Sequence, residues 1–270
     1  MSDHQKSPSD HNARAWDALV QQGAGLARPA SAEEFRDPLA AVDACGWLED
    51  SIRGQRVLCL AAGGGRQSAL YAAAGARVTV VDISGEMLAL DRAVAAQRNL
   101  EIRVIQASME HLPMLHRSEF DLIVQPVSTC YVADVMPVFR EVARLLRPEG
   151  LYISQHKTPT SLQTPTSLHS TPALEQNAYR LTEPYYRQGS LPAVAPCRLR
   201  ESGTQEFLHR WEELIGGICR AGFVVEDLME PMHADPAAAE GTFGHRAQFV
   251  APYVRIKARR NGERSMMRDA

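Results

Sequence analysis

No stretch of this sequence is apolar for long enough to span a bilayer, and its polar first residues hold no signal-peptide hydrophobic core. The expectation is a cytoplasmic protein without a membrane partner. Basic charge is not in excess either. The net charge is −3, so no global positive field points to nucleic acid as a partner. Cysteine is scarce and odd in number (Cys45, Cys59, Cys130, Cys197, Cys219), and no pair has CxxC spacing. That argues against a disulfide framework or a cysteine zinc site and suits a reducing compartment. The "HAD" stretch His233–Asp235, with His245 ten residues on, could suggest a metal site, but no third ligand lies close to it in the sequence, so no metal is expected. What remains is ordinary globular material: 270 residues, 45% hydrophobic, enough for one large domain with a real core.

Both ends read as loose. Residues 1–12 are polar without apolar periodicity, and 259–270 offer almost nothing to bury, so both are expected to be disordered tails. Ala13–Gly23 carries Ala15, Trp16, Leu19 and Val20 at helical spacing and reads as an amphipathic helix. Residues 13–53 are expected to form a helical lid. Ser31 is a candidate cap for "AEEF", and Leu39–Leu48 a further helix.

A regular alternation follows. Arg56–Ala61, Arg77–Asp82, Glu101–Gln106, Phe120–Gln125 and Leu151–Gln155 read as strands. Between them lie helices at Arg66–Ala74, Gly85–Arg98 (capped by Ser84) and Val135–Leu146. Strand and helix in alternation imply a parallel sheet covered on both faces. After His156 the pattern breaks. "TPTSL" occurs twice in a Thr/Pro/Ser-rich stretch, read as a duplication in a surface loop, and residues 157–203 look like a substrate-side insertion. A helix is expected over Thr204–Ala221, then strands at Phe223–Met229 and Gln248–Lys257. The stretch between these strands is too poor in helix for a parallel crossover, so they should pair antiparallel.

The stretch "VLCLAAGGGRQS" (Val57–Ser68) runs from strand to helix through a glycine loop, which lets backbone approach a ligand. Asp82, ending the second strand, is placed to accept ribose hydroxyls. Together these indicate an adenosine cofactor, nicotinamide or S-adenosylmethionine.

The ordered set "VLCLAAGGG", "VTVVDIS" with "EML", "ASMEHLPM", "FDLIVQ" and "REVARLLRPEGLYI" resembles the class I S-adenosylmethionine-dependent methyltransferases over about residues 54–258. The resemblance implies a doubly wound, mostly parallel seven-stranded α/β sheet with an antiparallel last strand. It implies S-adenosylmethionine as cofactor, with Ala61, Gly63 and Gly65 against its methionine part and ribose. Asp82 would bind the ribose hydroxyls, Ile83 the adenine face, Ser108 and Met109 the adenine edge, and Gln125 the sulfonium end. Cys59 stands where the family usually has an acid, and is read as a buried core residue. Ala61 and Ser108 replace a usual Gly and Asp. His156, after the fifth strand, is the candidate base, and Tyr131 a candidate pocket residue. "QPVS" lacks the Asn/Asp-Pro-Pro-Tyr motif of base-amine methylation, leaving a small-molecule acceptor with an O- or N-nucleophile. The alternatives are a nicotinamide-dependent oxidoreductase and a non-catalytic cofactor-binding protein.

Overall fold

The computed structural model describes residues 7–23, 28–164, 179–195 and 197–262. Seven strands form one sheet: β1 Arg56–Leu60, β2 Arg77–Asp82, β3 Ile102–Gln106, β4 Phe120–Gln125, β5 Leu146–Lys157, β6 Phe223–Met229 and β7 Tyr253–Arg260. Their order is β3-β2-β1-β4-β5-β7-β6. Strands β1 to β5 pair parallel, and β7 runs antiparallel to both β5 and β6. The antiparallel pairing follows from the connection. Between β6 and β7 the described chain forms only the four-residue α8, Phe243–Arg246, too little for a crossover.

Alternation along the strands splits the core in two. Leu58, Leu60, Phe120, Ile123 and Tyr152 pack with Phe139 and Val142 of α5, Met136–Leu145, and with α7, Trp211–Arg220. Val57, Cys59, Val80, Leu122 and Val124 pack on the opposite face with Tyr71 of α3, Gln67–Ala73, and Leu88 of α4, Gly85–Arg98. Cys59 is fully buried between Val80 and Val124 in the register, and burial pushes its thiol up.

Several sequence boundaries move. Helix α1, Pro8–Gln21, starts this early because the Ser7 hydroxyl caps it by accepting from the Asp10 N–H at 3.1 Å. The expected first tail is therefore helical from residue 8, and Asn12 is fully buried; residues 1–6 lie outside the described residues. At the other end Arg259 and Arg260 belong to β7, and residues 263–270 are outside the description. Strand β7 begins at Tyr253 rather than Gln248. The helix expected over Leu39–Leu48 is only α2, Pro38–Val42; Asp43 turns its carboxylate to the N–H groups of Trp47 and Leu48 instead. Residues 204–210 precede α7 in a non-helical course. Their backbone bonds outward, Phe207 N–H to the Cys130 carbonyl at 2.7 Å and the Glu206 carbonyl to Leu191 N–H at 2.6 Å. The first "TPTSL" copy is no surface loop. It forms α6, Pro159–Gln163, capped by Thr158 and largely buried; most of the second copy lies outside the described residues.

Candidate active site

Strand order reverses between β1 and β4, and ligands in such sheets bind at the carboxyl ends beside that switch point. A cavity of about 460 Å³ opens there. Its cofactor-facing wall is built by the β1–α3 loop. Ala61 turns left-handed at φ 48°, and Gly64 and Gly65 follow at 115° and 74°. A Cβ on Gly63 would sit 2.8 Å from Met87 Cβ and 3.0 Å from Asp82 Oδ2, so only glycine fits. Asp82 faces the cavity, and its two oxygens accept from Gly63 N–H (2.9 Å) and Ser84 N–H (3.0 Å). Each oxygen keeps a further lone pair for an incoming hydroxyl. Burial raises the Asp82 pKa, while the backbone donors oppose that rise.

Of the residues expected at the cofactor, Ala61, Gly63, Asp82, Ile83, Ser108 and Met109 all line this cavity. Gly65 does not. Its missing side chain lets the loop lie against α4, where a Cβ would meet the Leu90 carbonyl at 3.0 Å. Gln125 does not line it either. Its amide donates to Ser128 Oγ (2.8 Å) and Met109 Sδ (3.3 Å) and accepts from Tyr152 Oη (2.5 Å), so its polar atoms are taken up by the protein.

The expected base, His156, is turned away. On β5 successive side chains alternate, so Gln155 reaches the cavity while His156 points to α5, 6.4 Å from the Phe139 ring. Both imidazole nitrogens are bonded to hydroxyls, Nδ1 to Thr129 and Nε2 to Ser154, each at 2.8 Å. Burial pushes its pKa down to about 3, so the ring stays neutral. Tyr131 does line the cavity. Its hydroxyl donates to Glu201 Oε2 at 2.5 Å, and burial raises its pKa.

Glu201 was missed in the sequence because it comes from an irregular segment far from any motif. It lines the cavity and belongs to a buried chain of charge. Lys157 Nζ lies 2.9 Å from Glu201 and 3.0 Å from Glu206, which also accepts from Arg200 Nε at 2.9 Å. The two carboxylates and two cations balance. Lys157 was legible in principle, since strand parity puts it on the same side as Gln155.

Two further polar residues shape the loop. Asp91 of α4 accepts from Gly64 N–H at 2.9 Å and from the Ser68 hydroxyl. It supplies beneath the glycines a carboxylate that β1, with Cys59, does not. Gln67 lines the cavity, and its Oε1 is buried without a hydrogen-bond partner among the described residues. Helix α1 closes the cavity from above. Trp16 lines it, edge-on to Tyr131 at 5.7 Å. Asp17 accepts from the Ser84 hydroxyl (2.6 Å) and Glu86 N–H (3.1 Å).

Residues 58–154 match the family model described as a methyltransferase domain. A Bacillus subtilis protein named as an uncharacterized methyltransferase is 34% identical over 232 residues, spanning 82% of this chain and 89% of its own. The chain belongs to the class I S-adenosylmethionine-dependent methyltransferases. Its cofactor is accordingly S-adenosylmethionine. The fold agrees. A Mesorhizobium loti S-adenosylmethionine-dependent methyltransferase superposes with a TM-score of 0.62 at 23% identity, over 78% of this chain and 94% of its own. A ubiquinone biosynthesis O-methyltransferase of Aromatoleum aromaticum is 32% identical over 106 residues, 38% of this chain and 45% of that one. Among the described residues no group of three metal-ligating side chains occurs, and no helix is long and apolar enough to cross a membrane.

The residues present fit this cofactor. Gln67 Oε1 is a buried acceptor with no partner among the described residues, and Asp82, beside the Gly63 turn that no side chain would fit, can accept hydroxyl groups.

Proposed function

We propose that this methyltransferase alkylates an O- or N-nucleophile of a small molecule seated beside Tyr131, Arg198 and Glu201. The supporting observation is one continuous cavity, with Asp82 and the glycine loop in one part of its wall and the Tyr131–Glu201 pair in another. S-adenosylmethionine supplies the methyl group as a sulfonium. Asp82 accepts the ribose hydroxyls, and Ile83, Ser108 and Met109 border the adenine. Gln67 Oε1 accepts from the ammonium, the role that the absent acid at 59 leaves open.

Tyr131 and Glu201 take the acceptor's proton. The nucleophile's proton passes to the tyrosine oxygen as the tyrosine proton moves to the carboxylate, leaving Glu201 neutral. Lys157 holds that carboxylate in place. Trp16 and α1 exclude water. The O-methyltransferase likeness over 106 residues favours an oxygen nucleophile.

The test is transfer of labelled methyl groups across a panel of phenols, carboxylic acids and amines. Tyr131→Phe should slow transfer by about 100-fold and leave S-adenosylhomocysteine affinity unchanged. A Phe variant as fast as the unaltered protein removes the proton relay. Label transfer to none of the panel counts against a small-molecule acceptor.

A further inference from the structure

Two guanidinium groups line the cavity from the segment before Arg200 and from β7, Arg198 and Arg255, and neither has a carboxylate partner among the described residues. The Arg198 guanidinium lies over the Phe243 ring, 4.5 Å from the centroid. Arg255 lines the cavity from β7, donating to Gln155 Oε1 (2.8 Å) and Cys45 Sγ (3.3 Å). Neither forms an ion pair among the described residues, whereas Glu201 on the same wall is already matched by Lys157.

His233 lines the same cavity. Burial lowers its pKa first, and the charges of Arg198 and Arg255 lower it further. The ring is therefore neutral and adds no counter-ion. Burial raises the nearby Tyr253 to about 12, so it too is uncharged. His233 packs edge-on against Phe243 at 5.5 Å and Tyr253 at 5.4 Å, giving the arginines an aromatic surround. Uncompensated guanidinium groups beside low-dielectric aromatic walls attract an oxyanion strongly, and the planar fork matches a carboxylate in two-point geometry.

We infer that the methyl acceptor is a small planar acid, its carboxylate held by Arg198 and Arg255 beside His233 while its nucleophile points to Tyr131. This rests on the methyl-transfer reading above. It gives the segment around residue 198 a task, since that segment supplies both the anchor (Arg198) and the proton sink (Glu201).

The probes are benzoate and benzamide, titrated calorimetrically into the protein saturated with S-adenosylhomocysteine. Benzoate should bind in the millimolar range expected of so small a ligand, and benzamide at least about tenfold more weakly, because it cannot complete the charge-assisted pair. Arg198→Gln and Arg255→Gln should each weaken benzoate about threefold to tenfold, as loss of one partner of a charged hydrogen bond does, with S-adenosylhomocysteine affinity unchanged. Arg198 is exposed, so its replacement should leave folding intact. Benzamide binding as well as benzoate overturns the proposal, as does the absence of saturable benzoate binding. Glutamine variants that lose S-adenosylhomocysteine but keep benzoate would show that the guanidinium groups serve the cofactor's own carboxylate. Failure of S-adenosylhomocysteine to bind the unaltered protein strikes the methyl-transfer reading itself, and the acid anchor falls with it.

Discussion

At position 61 the backbone turns left-handed while carrying an alanine. That conformation brings Cβ against the following carbonyl and costs about 1 kcal/mol or more outside glycine. Ala61→Gly should therefore raise the unfolding free energy by about 1 kcal/mol, read from urea melts at neutral pH. The cofactor loop supplies two sharper tests. Asp82→Ala removes a charged acceptor of two hydroxyl bonds and should weaken S-adenosylhomocysteine by about tenfold to several hundredfold in calorimetry. Gln67→Met has opposite signs in the two states. Without ligand it deletes an unpartnered buried acceptor and should leave stability equal or higher, yet it should lose about tenfold in cofactor affinity. A Met variant that binds S-adenosylhomocysteine normally would remove Gln67 from the ammonium site. Asp91 titrates in an accessible window. Burial pushes its pKa up to about 6, above the 3.8 of an ordinary aspartate. Between those values the folded state holds the extra proton, so stability falls as pH rises from about 4 to 6, by roughly 3 kcal/mol. Asp91→Asn keeps an acceptor for Gly64 N–H without the charge. It should flatten that slope and be the more stable protein at pH 8.

Among the elements, β5 shows how far a sequence can be read. Its existence was plain from the apolar run Leu151–Ile153, although the strand starts earlier, at Leu146, and takes in Pro148 and Gly150. The choice of His156 as base used proximity to the strand's end and neglected alternation, which sends 155 and 157 one way and 156 the other. The ion cluster under Lys157 was hidden for a different reason. Glu201 and Glu206 lie 44 and 49 residues beyond Lys157, and no local period links carboxylates in an irregular segment to a strand. Residues 204–210 illustrate the same limit. Phe207 and Leu208 continue the helical stripe of α7, yet tertiary bonds to Cys130 and Leu191 hold that backbone out of the helix. The cluster has a definite energetic signature. Lys157→Met leaves two nearly buried carboxylates without their shared cation and should cost about 3–5 kcal/mol at neutral pH. Burial already raises the Glu206 pKa, so without Lys157 that carboxylate takes up a proton in mild acid. The penalty should shrink between pH 7 and pH 5 in paired urea melts.

For the whole molecule, the sheet and its reversal at β7 were legible because strand spacing, helix length and the thin β6–β7 connection are local quantities. The N-terminal boundary was not. Polar composition hid a capped helix whose Asn12 is satisfied only through distant backbone, donating to the Tyr131 and Gln205 carbonyls at 3.0 Å each and accepting from Gln205 N–H at 2.7 Å. Helix α1 should therefore respond to ligand. Amide exchange across residues 13–20 should slow when S-adenosylhomocysteine binds, and unchanged exchange there would make α1 a static cover.

The two anchors of α1 also say something about time. Asp17 ties the helix to the start of α4, and Asn12, about 7.5 Å along the axis, ties it to the chain around residue 205 that carries Glu201 and Glu206. One helix thus bridges the Ser84 end of the Asp82 loop and the segment carrying Glu201, and under the proposed function the cofactor and acceptor sides should open together. Asn12→Ala touches neither ligand. It should accelerate departure of S-adenosylhomocysteine and of a bound acid by a similar factor in stopped-flow displacement, making release of both products a single clock.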